Sequence, residues 1–322
     1  MINLRPKLLS PLLSMLHSRQ RMAGRAWLTE LCARVVRRMF NDGSAKGVGY
    51  LRAVMDGAGS SVSPKMQVTI AERDFAGIRC LITTPINSEP SSPVFIYFHG
   101  GGFVAGSPEG YQNLVSLISE QSTAVVIAAY YRLSPEHVFP AAQDDCLAVS
   151  LQILAEYPNQ NVLLGGDSAG ANLAISTALA LSRLASQHSG NRGPDALVLI
   201  SPWVEPTANG GSIVSNQVND IFDPAFLLQS YSDHMGQANL LDQRANFINT
   251  DLSPLPKTYI QCGGGEQFVD QIQAFESRAK SMGVDIELDI FDTQFHDFQT
   301  LWPVLKEGKL ATIQLAEFIK SV

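Results

Sequence analysis

Hydrophobic and polar positions follow one dominant rhythm from residue 66 onward, with short apolar runs alternating with stretches of helical period. Residues 66–71 and 78–83 predict strands, and 94–98 is an unbroken apolar run that stops at His99-Gly100. A helix is predicted over 112–120, a buried strand over 124–130 and a helix over 141–156. A strand at 162–164 and an Ala- and Leu-rich helix at 169–184 come next. Residues 196–200, 258–262 and 284–291 predict three more strands, with helices after the last two. Strands that are apolar throughout are buried on both faces, so the pattern predicts an α/β fold with a mostly parallel sheet between two helical layers.

Two intervals break the rhythm. Residues 41–64 carry Gly43, Gly47, Gly49, Gly57 and Gly59 and predict a flexible joint. Between Trp203 and Asp251 there is no clean strand, only Asn209-Gly210-Gly211 and a helix start at Asp223-Pro224. An excursion of that length from a regular α/β sheet predicts a lid or a binding element. The expected division is therefore an N-terminal cap segment (1–64), a core (65–204), a cap insertion (205–250) and the rest of the core (251–322).

Composition narrows the classes. The hydrophobic share is 45% and the charged share 16%, which suits a large buried core and excludes a disordered or coiled-coil chain. A net charge of -7 argues against a general nucleic-acid binder. Residues 1–40 run the other way, with eight Lys/Arg against Glu30 alone. That arm is read as a helix lying across the acidic body, with contact to an anionic membrane surface as the alternative. Pro11 and the following His17, Arg19 and Arg21 argue against a signal peptide, and no run approaches a membrane span. Four scattered cysteines (Cys32, Cys80, Cys146, Cys262) form no C-x-x-C pair, which points to a reducing, cytoplasmic setting without disulfides or a thiolate metal site.

Candidate chemistry begins at Gly166-Asp167-Ser168-Ala169-Gly170, a G-x-S-x-G pentapeptide between a predicted strand and a predicted helix. A serine in that turn is strained and exposed, and the helix N-terminus behind it faces developing negative charge. The bland reading, a Ser N-cap between turn glycines, lacks the further motifs that accompany it here. His99-Gly100-Gly101-Gly102-Phe103 follows an apolar strand, and such a run lets several N–H groups converge on one oxyanion. No phosphate-loop signature is present. Of six histidines, His296 alone follows the last strand and precedes the final helix, where a base could reach Ser168. The acid should leave the preceding strand; Glu266 is the first carboxylate there and Asp270 the second. The order Ser168, acid, His296 is that of an α/β-hydrolase.

These residues, with Tyr131-Arg132-Leu133-Ser134-Pro135-Glu136-His137 and Ser201-Pro202-Trp203, resemble the hormone-sensitive lipase family of α/β-hydrolases, in its bacterial carboxylesterase branch. The resemblance implies about eight strands, a helical cap, and an oxyanion hole from Gly101, Gly102 and Ala169. It implies hydrolysis of short- to medium-chain esters by Ser168, Glu266 and His296, with no cofactor or metal, a small-molecule ester as the partner, and a homodimer as an allowed state. An amidase or lactonase using the same residues, or a non-catalytic receptor on the same fold, are the rival readings. Two positions depart from the family: Glu266 stands where Asp is usual, and Asp297 where the residue after the histidine is usually Gly.

Overall fold

The computed structural model describes residues 26–60, 66–187 and 192–322. Most of the basic arm, including the segment weighed as a leader, lies outside the described residues. The chain begins with helices α1 (Ala26–Ala45) and α2 (Val48–Ser60). The core contributes β1 (Val68–Phe75), β2 (Ile78–Pro85), β3 (Val94–Phe98), α3 (Gln112–Ser122), β4 (Val125–Ala129), α4 (Ala141–Glu156), β5 (Val162–Asp167), α5 (Ser168–Gln187) and β6 (Ala196–Ile200). The insertion holds α6 (Ser212–Ser215) and α7 (Pro224–Met235). The core resumes with β7 (Lys257–Gly263), α8 (Val269–Ser281), β8 (Ile286–Phe291), a 3₁₀ turn (Phe298–Leu301) and α9 (Lys306–Ser321).

One eight-stranded sheet runs in the order β1-β2-β4-β3-β5-β6-β7-β8. The β1–β2 and β2–β4 pairs are antiparallel; every other pair is parallel. Alternate residues of the central strands serve opposite layers. Val94, Ile96 and Phe98 of β3 join the core that includes Val149, Ile153, Leu173 and Ile272 under α4, α5 and α8. Phe95 and Tyr97 face Leu114, Ile118, Leu315 and Ile319 of α3 and α9. Each such large apolar side chain contributes about 1.5–3 kcal/mol by leaving water.

The joint expected over 41–64 is corrected by α1 and α2, which are helical through Gly49, Gly57 and Gly59. Tertiary packing overrides the glycine cost of about 1 kcal/mol each. Leu51 is buried against Val104 and Ala105, and Arg52 clamps α2 to the core loops. Its Nε donates to Val104 O at 2.8 Å and its Nη2 to Ser134 O at 2.9 Å. The same guanidinium holds Glu136 at 3.0 and 2.7 Å, and that contact lowers the Glu136 carboxyl to about 2. Helix α1 reaches the insertion, where Phe40 meets Phe222 and Phe226 edge-on at 5.7 and 5.9 Å between ring centres. At the start of α7, Asp223 caps the helix by accepting from Ala225 N at 2.9 Å, as its sequence position predicts. Among the described residues, no helix is long and apolar enough to cross a membrane. All four cysteines are free and buried.

Arg52→Ala removes hydrogen bonds from three acceptors, including two backbone carbonyls. The expected outcome is a loss of about 1–2 kcal/mol and faster proteolytic release of the α1–α2 segment, measured by thermal denaturation and limited proteolysis.

Candidate active site

The parallel strands all deliver loops to one edge, outside their carboxyl ends. From β3 comes the glycine loop, from β5 Ser168, from β6 Ser201, from β7 Glu266 and from β8 His296. Ser168 has φ 53°, the left-handed region that L side chains rarely adopt. The turn is held against β3: a Cβ on Gly166 would lie 2.2 Å from Phe98 O, and one on Gly170 only 2.0 Å from it. Both outer glycines of the pentapeptide are therefore required by backbone contact.

Gly101 (φ 116°) and Gly102 (φ 63°) form the turn beside it. A Cβ on Gly101 would meet Ala105 O at 2.1 Å, because that turn closes with Ala105 N donating to Gly101 O at 3.0 Å. Gly101, Gly102 and Ser168 line one narrow cavity of about 20 Å³, walled by Phe40, Met55, Phe222, Phe226, Leu227 and Asp297 among others. A wider cavity of about 580 Å³ shares Phe226 with it and opens between Asn41, Leu51, Gln229 and Asp233. Ala169, the third member of the expected oxyanion hole, lies in the first turn of α5, where backbone N–H groups have no helical partner.

Glu266 is fully buried. Its Oε2 accepts from Ser201 Oγ at 2.7 Å and from Gly263 N at 2.8 Å, and these two donors fix the carboxylate so that Oε1 stands 3.6 Å from His296 Nδ1. Burial pushes the Glu266 carboxyl up, against the pull of His296 and the Ser201 hydroxyl. Asp270 turns elsewhere: its Oδ2 accepts from Ser212 N at 2.7 Å, which ties α8 to the insertion. The imidazole itself sits between the rings of Phe222 and Phe268, 4.6 and 4.9 Å away. Burial alone would lower its pKa, but the carboxylates of Asp297 and then Glu266 overcome this and hold it well above the usual histidine range.

Sequence reasoning missed three contributors. Asp220, buried in the insertion, accepts from His296 N at 3.0 Å, from Ile221 N at 2.9 Å and from Gln267 N at 2.7 Å. It thereby joins the acid loop to the histidine loop, and burial raises its carboxyl while these donors oppose the rise. Ser201 (φ 43°) also links the two, since Asp297 N donates to its Oγ at 3.3 Å. Asp167, next to Ser168, accepts from Tyr97 OH at 2.5 Å and Gly100 N at 2.9 Å, tying the serine turn to the glycine loop. Ser201 and Asp167 appear in the sequence motifs, in Ser201-Pro202-Trp203 and in the pentapeptide, without any sign of these contacts, and Asp220 appears in none.

The other described histidines are occupied elsewhere. His99 is buried against Tyr131, with ring centres 4.5 Å apart, and burial lowers it to about 4. His234 stacks on Phe103 at 4.0 Å, and burial lowers it to about 3. His137 is exposed in its loop. Trp203, Phe222 and Phe226 line the narrow cavity, and Phe103 lies in the core, fully buried between Trp203 and His234. Among the described residues, no group of three His, Cys, Asp or Glu could hold a metal ion.

Comparison with known proteins places the chain among relatives of one family and fold. A family model for the alpha/beta hydrolase fold matches residues 95–300. An acetyl-hydrolase of Streptomyces hygroscopicus is 32% identical over 228 residues, 70% of this chain and 75% of that protein. An esterase of Acinetobacter venetianus is 28% identical over 276 residues, 84% of this chain and 88% of its own. The crystal structure of an esterase from the bacterial hormone-sensitive lipase family superposes with a TM-score of 0.83 at 29% identity, over 93% of this chain and 99% of that one. Sheet order, matched span and relatives converge, and the chain belongs to the hormone-sensitive lipase family of α/β-hydrolases.

Proposed function

We propose that this protein is a serine carboxylesterase that cleaves short- to medium-chain esters through an acyl-enzyme. The observation that carries the reading is the fixing of Glu266 by Ser201 and Gly263, which leaves one carboxylate oxygen for His296 Nδ1. In this mechanism neutral His296 takes the Ser168 proton through Nε2 as Oγ attacks the ester carbonyl. Glu266 keeps the Nδ1 proton in place and stabilises the imidazolium that forms. The N–H groups of Gly101, Gly102 and Ala169 receive the oxyanion. The imidazolium then protonates the departing alkoxide, and water, deprotonated by the same histidine, releases the acid.

Esterase names among the relatives support the reaction class. The cavity beside Ser168, about 20 Å³ behind Phe40, Phe222 and Phe226, supports the short-acyl preference. Substrate therefore has to part these side chains, which stand on α1 and on the insertion, so both segments act as a cap. The wider chamber outside them receives the remainder of the substrate.

Ser168→Ala is expected to lower kcat by roughly 10⁴–10⁶ with the fold intact, measured on p-nitrophenyl butyrate, and a folded variant that keeps a tenth of the activity would exclude this nucleophile. Glu266→Gln is expected to cost roughly 10²–10⁴ in kcat. Asp270→Asn is expected to cost far less, because its carboxylate serves the insertion; the reverse ranking in two equally folded variants would reassign the acid. The base works only when neutral, and its pKa is raised. The acid limb of kcat/KM should accordingly lie on the alkaline side of an ordinary histidine, with activity lost as pH falls through it. A profile flat across that range would rule out His296.

A further inference from the structure

Nothing in the mechanism above uses Asp297, yet it stands at the reacting end of the base. Its Oδ2 lies 3.0 Å from His296 Nε2, the nitrogen that has to accept the Ser168 proton. No hydrogen bond joins Ser168 Oγ to either ring nitrogen in this structure. Asp297 adopts φ 54°, in the left-handed region, and only 8% of the residue is exposed. Gly, which has no Cβ, would take this conformation without strain; an aspartate held there is a candidate for a role in function. Its other oxygen, Oδ1, is buried without a partner, and the side chain lines the same narrow cavity as Ser168.

We propose that Asp297 is a positioning residue that holds the base out of reaction, its carboxylate occupying the Nε2 side of His296 in competition with Ser168 until substrate displaces it or the ring gives up its proton to solvent. The proposal rests on the carboxylesterase reading of the same site. An imidazolium between Glu266 at Nδ1 and Asp297 at Nε2 has an anionic neighbour at each ring nitrogen. It cannot act as a base in that state. Once its Nε2 proton has passed to water, the neutral ring accepts the Ser168 proton and later returns it to the alkoxide, so the proton count over a turnover is unchanged.

The surroundings of the ring reinforce this assignment. From the insertion, Asp220 faces the histidine loop through the His296 N–H. From β5, Asp167 feels the Asp297 charge: burial raises the Asp167 carboxyl first, and Asp297 adds to the rise. Tyr97 on β3 and Tyr111 before α3 are likewise raised, by burial first, with Asp167 and Asp297 adding to it. Phe222 and Phe268 supply only apolar ring contacts. Of the two carboxylates at the imidazole, Asp297 has the larger effect on its proton, and its Oδ1 is buried without a partner.

The test compares wild type with Asp297→Asn and Asp297→Gly, full length, on p-nitrophenyl butyrate across the acid and alkaline range. Asn keeps the volume and tolerates the left-handed backbone, while Gly removes the strain as well. In parallel, the His296 ring is titrated directly by ¹⁵N NMR of the imidazole. Both variants are expected to move the acid limb of kcat/KM down by about one pH unit or more, each limb being read against that variant's own alkaline plateau. The NMR titration should move by the same amount. Coincident limbs in folded variants overturn the proposal, as does a shift in the Gly variant alone, which would trace to backbone strain. If esters are hydrolysed and the limb stays put, only the role of Asp297 falls. If no ester is hydrolysed while the His296 titration shifts, the role of Asp297 stands and the esterase reading falls.

Discussion

The carbonyl oxygen of Phe98, at the carboxyl end of β3, sits so close to the β5–α5 turn that no Cβ fits at Gly166 or Gly170. That contact presses the serine turn onto the strand that also launches the glycine loop, so Ser168 and the glycine loop cannot drift apart independently. Asp167 adds a second tie between the same two elements through Gly100 N and Tyr97. The strained φ of Ser168 persists because the parallel pairing of β3 with β5 leaves the turn no room to relax. The rest of the site is assembled around this fixed pair.

The loops that carry Glu266 and His296 are fixed by different means. They leave neighbouring strands, β7 and β8, and meet directly where Gly265 N donates to Gln294 O at 2.9 Å. Ser201 from β6 and Asp220 from the insertion bridge them, one at the Glu266 carboxylate and the Asp297 N–H, the other at the Gln267 and His296 N–H groups. A buried carboxylate that satisfies three backbone donors is costly to remove, because each donor would be left unpaired in the interior.

Much of this was legible in the sequence because it is written in local pattern. The strands ending at Phe98 and Asp167 are apolar runs, and the glycines flanking Ser168 meet steric demands that act within a few residues. The position of His296 follows from chain order and the single edge at which parallel strands end. What escaped is long-range. Asp220 lies 76 residues before His296 in an insertion with no strand to anchor a reading. The helix α2, with three glycines, owes its existence to Leu51 and Arg52 gripping loops from elsewhere in the fold. The departure at Asp297 was visible as a letter, but its direction depends on a backbone angle that the letter does not disclose.

Asp220 also bears on how such an enzyme could diversify. The insertion supplies Phe222 and Phe226 to the cavity wall and, two residues before the first of them, the carboxylate that holds the histidine loop. The cavity wall and the anchor of the histidine loop are thus carried on one stretch of chain. Exchanging the whole insertion for another of different shape would alter the cavity wall and unpin the His296 loop together. Only grafts that spare the anchor at 220 could treat the wall as an interchangeable part.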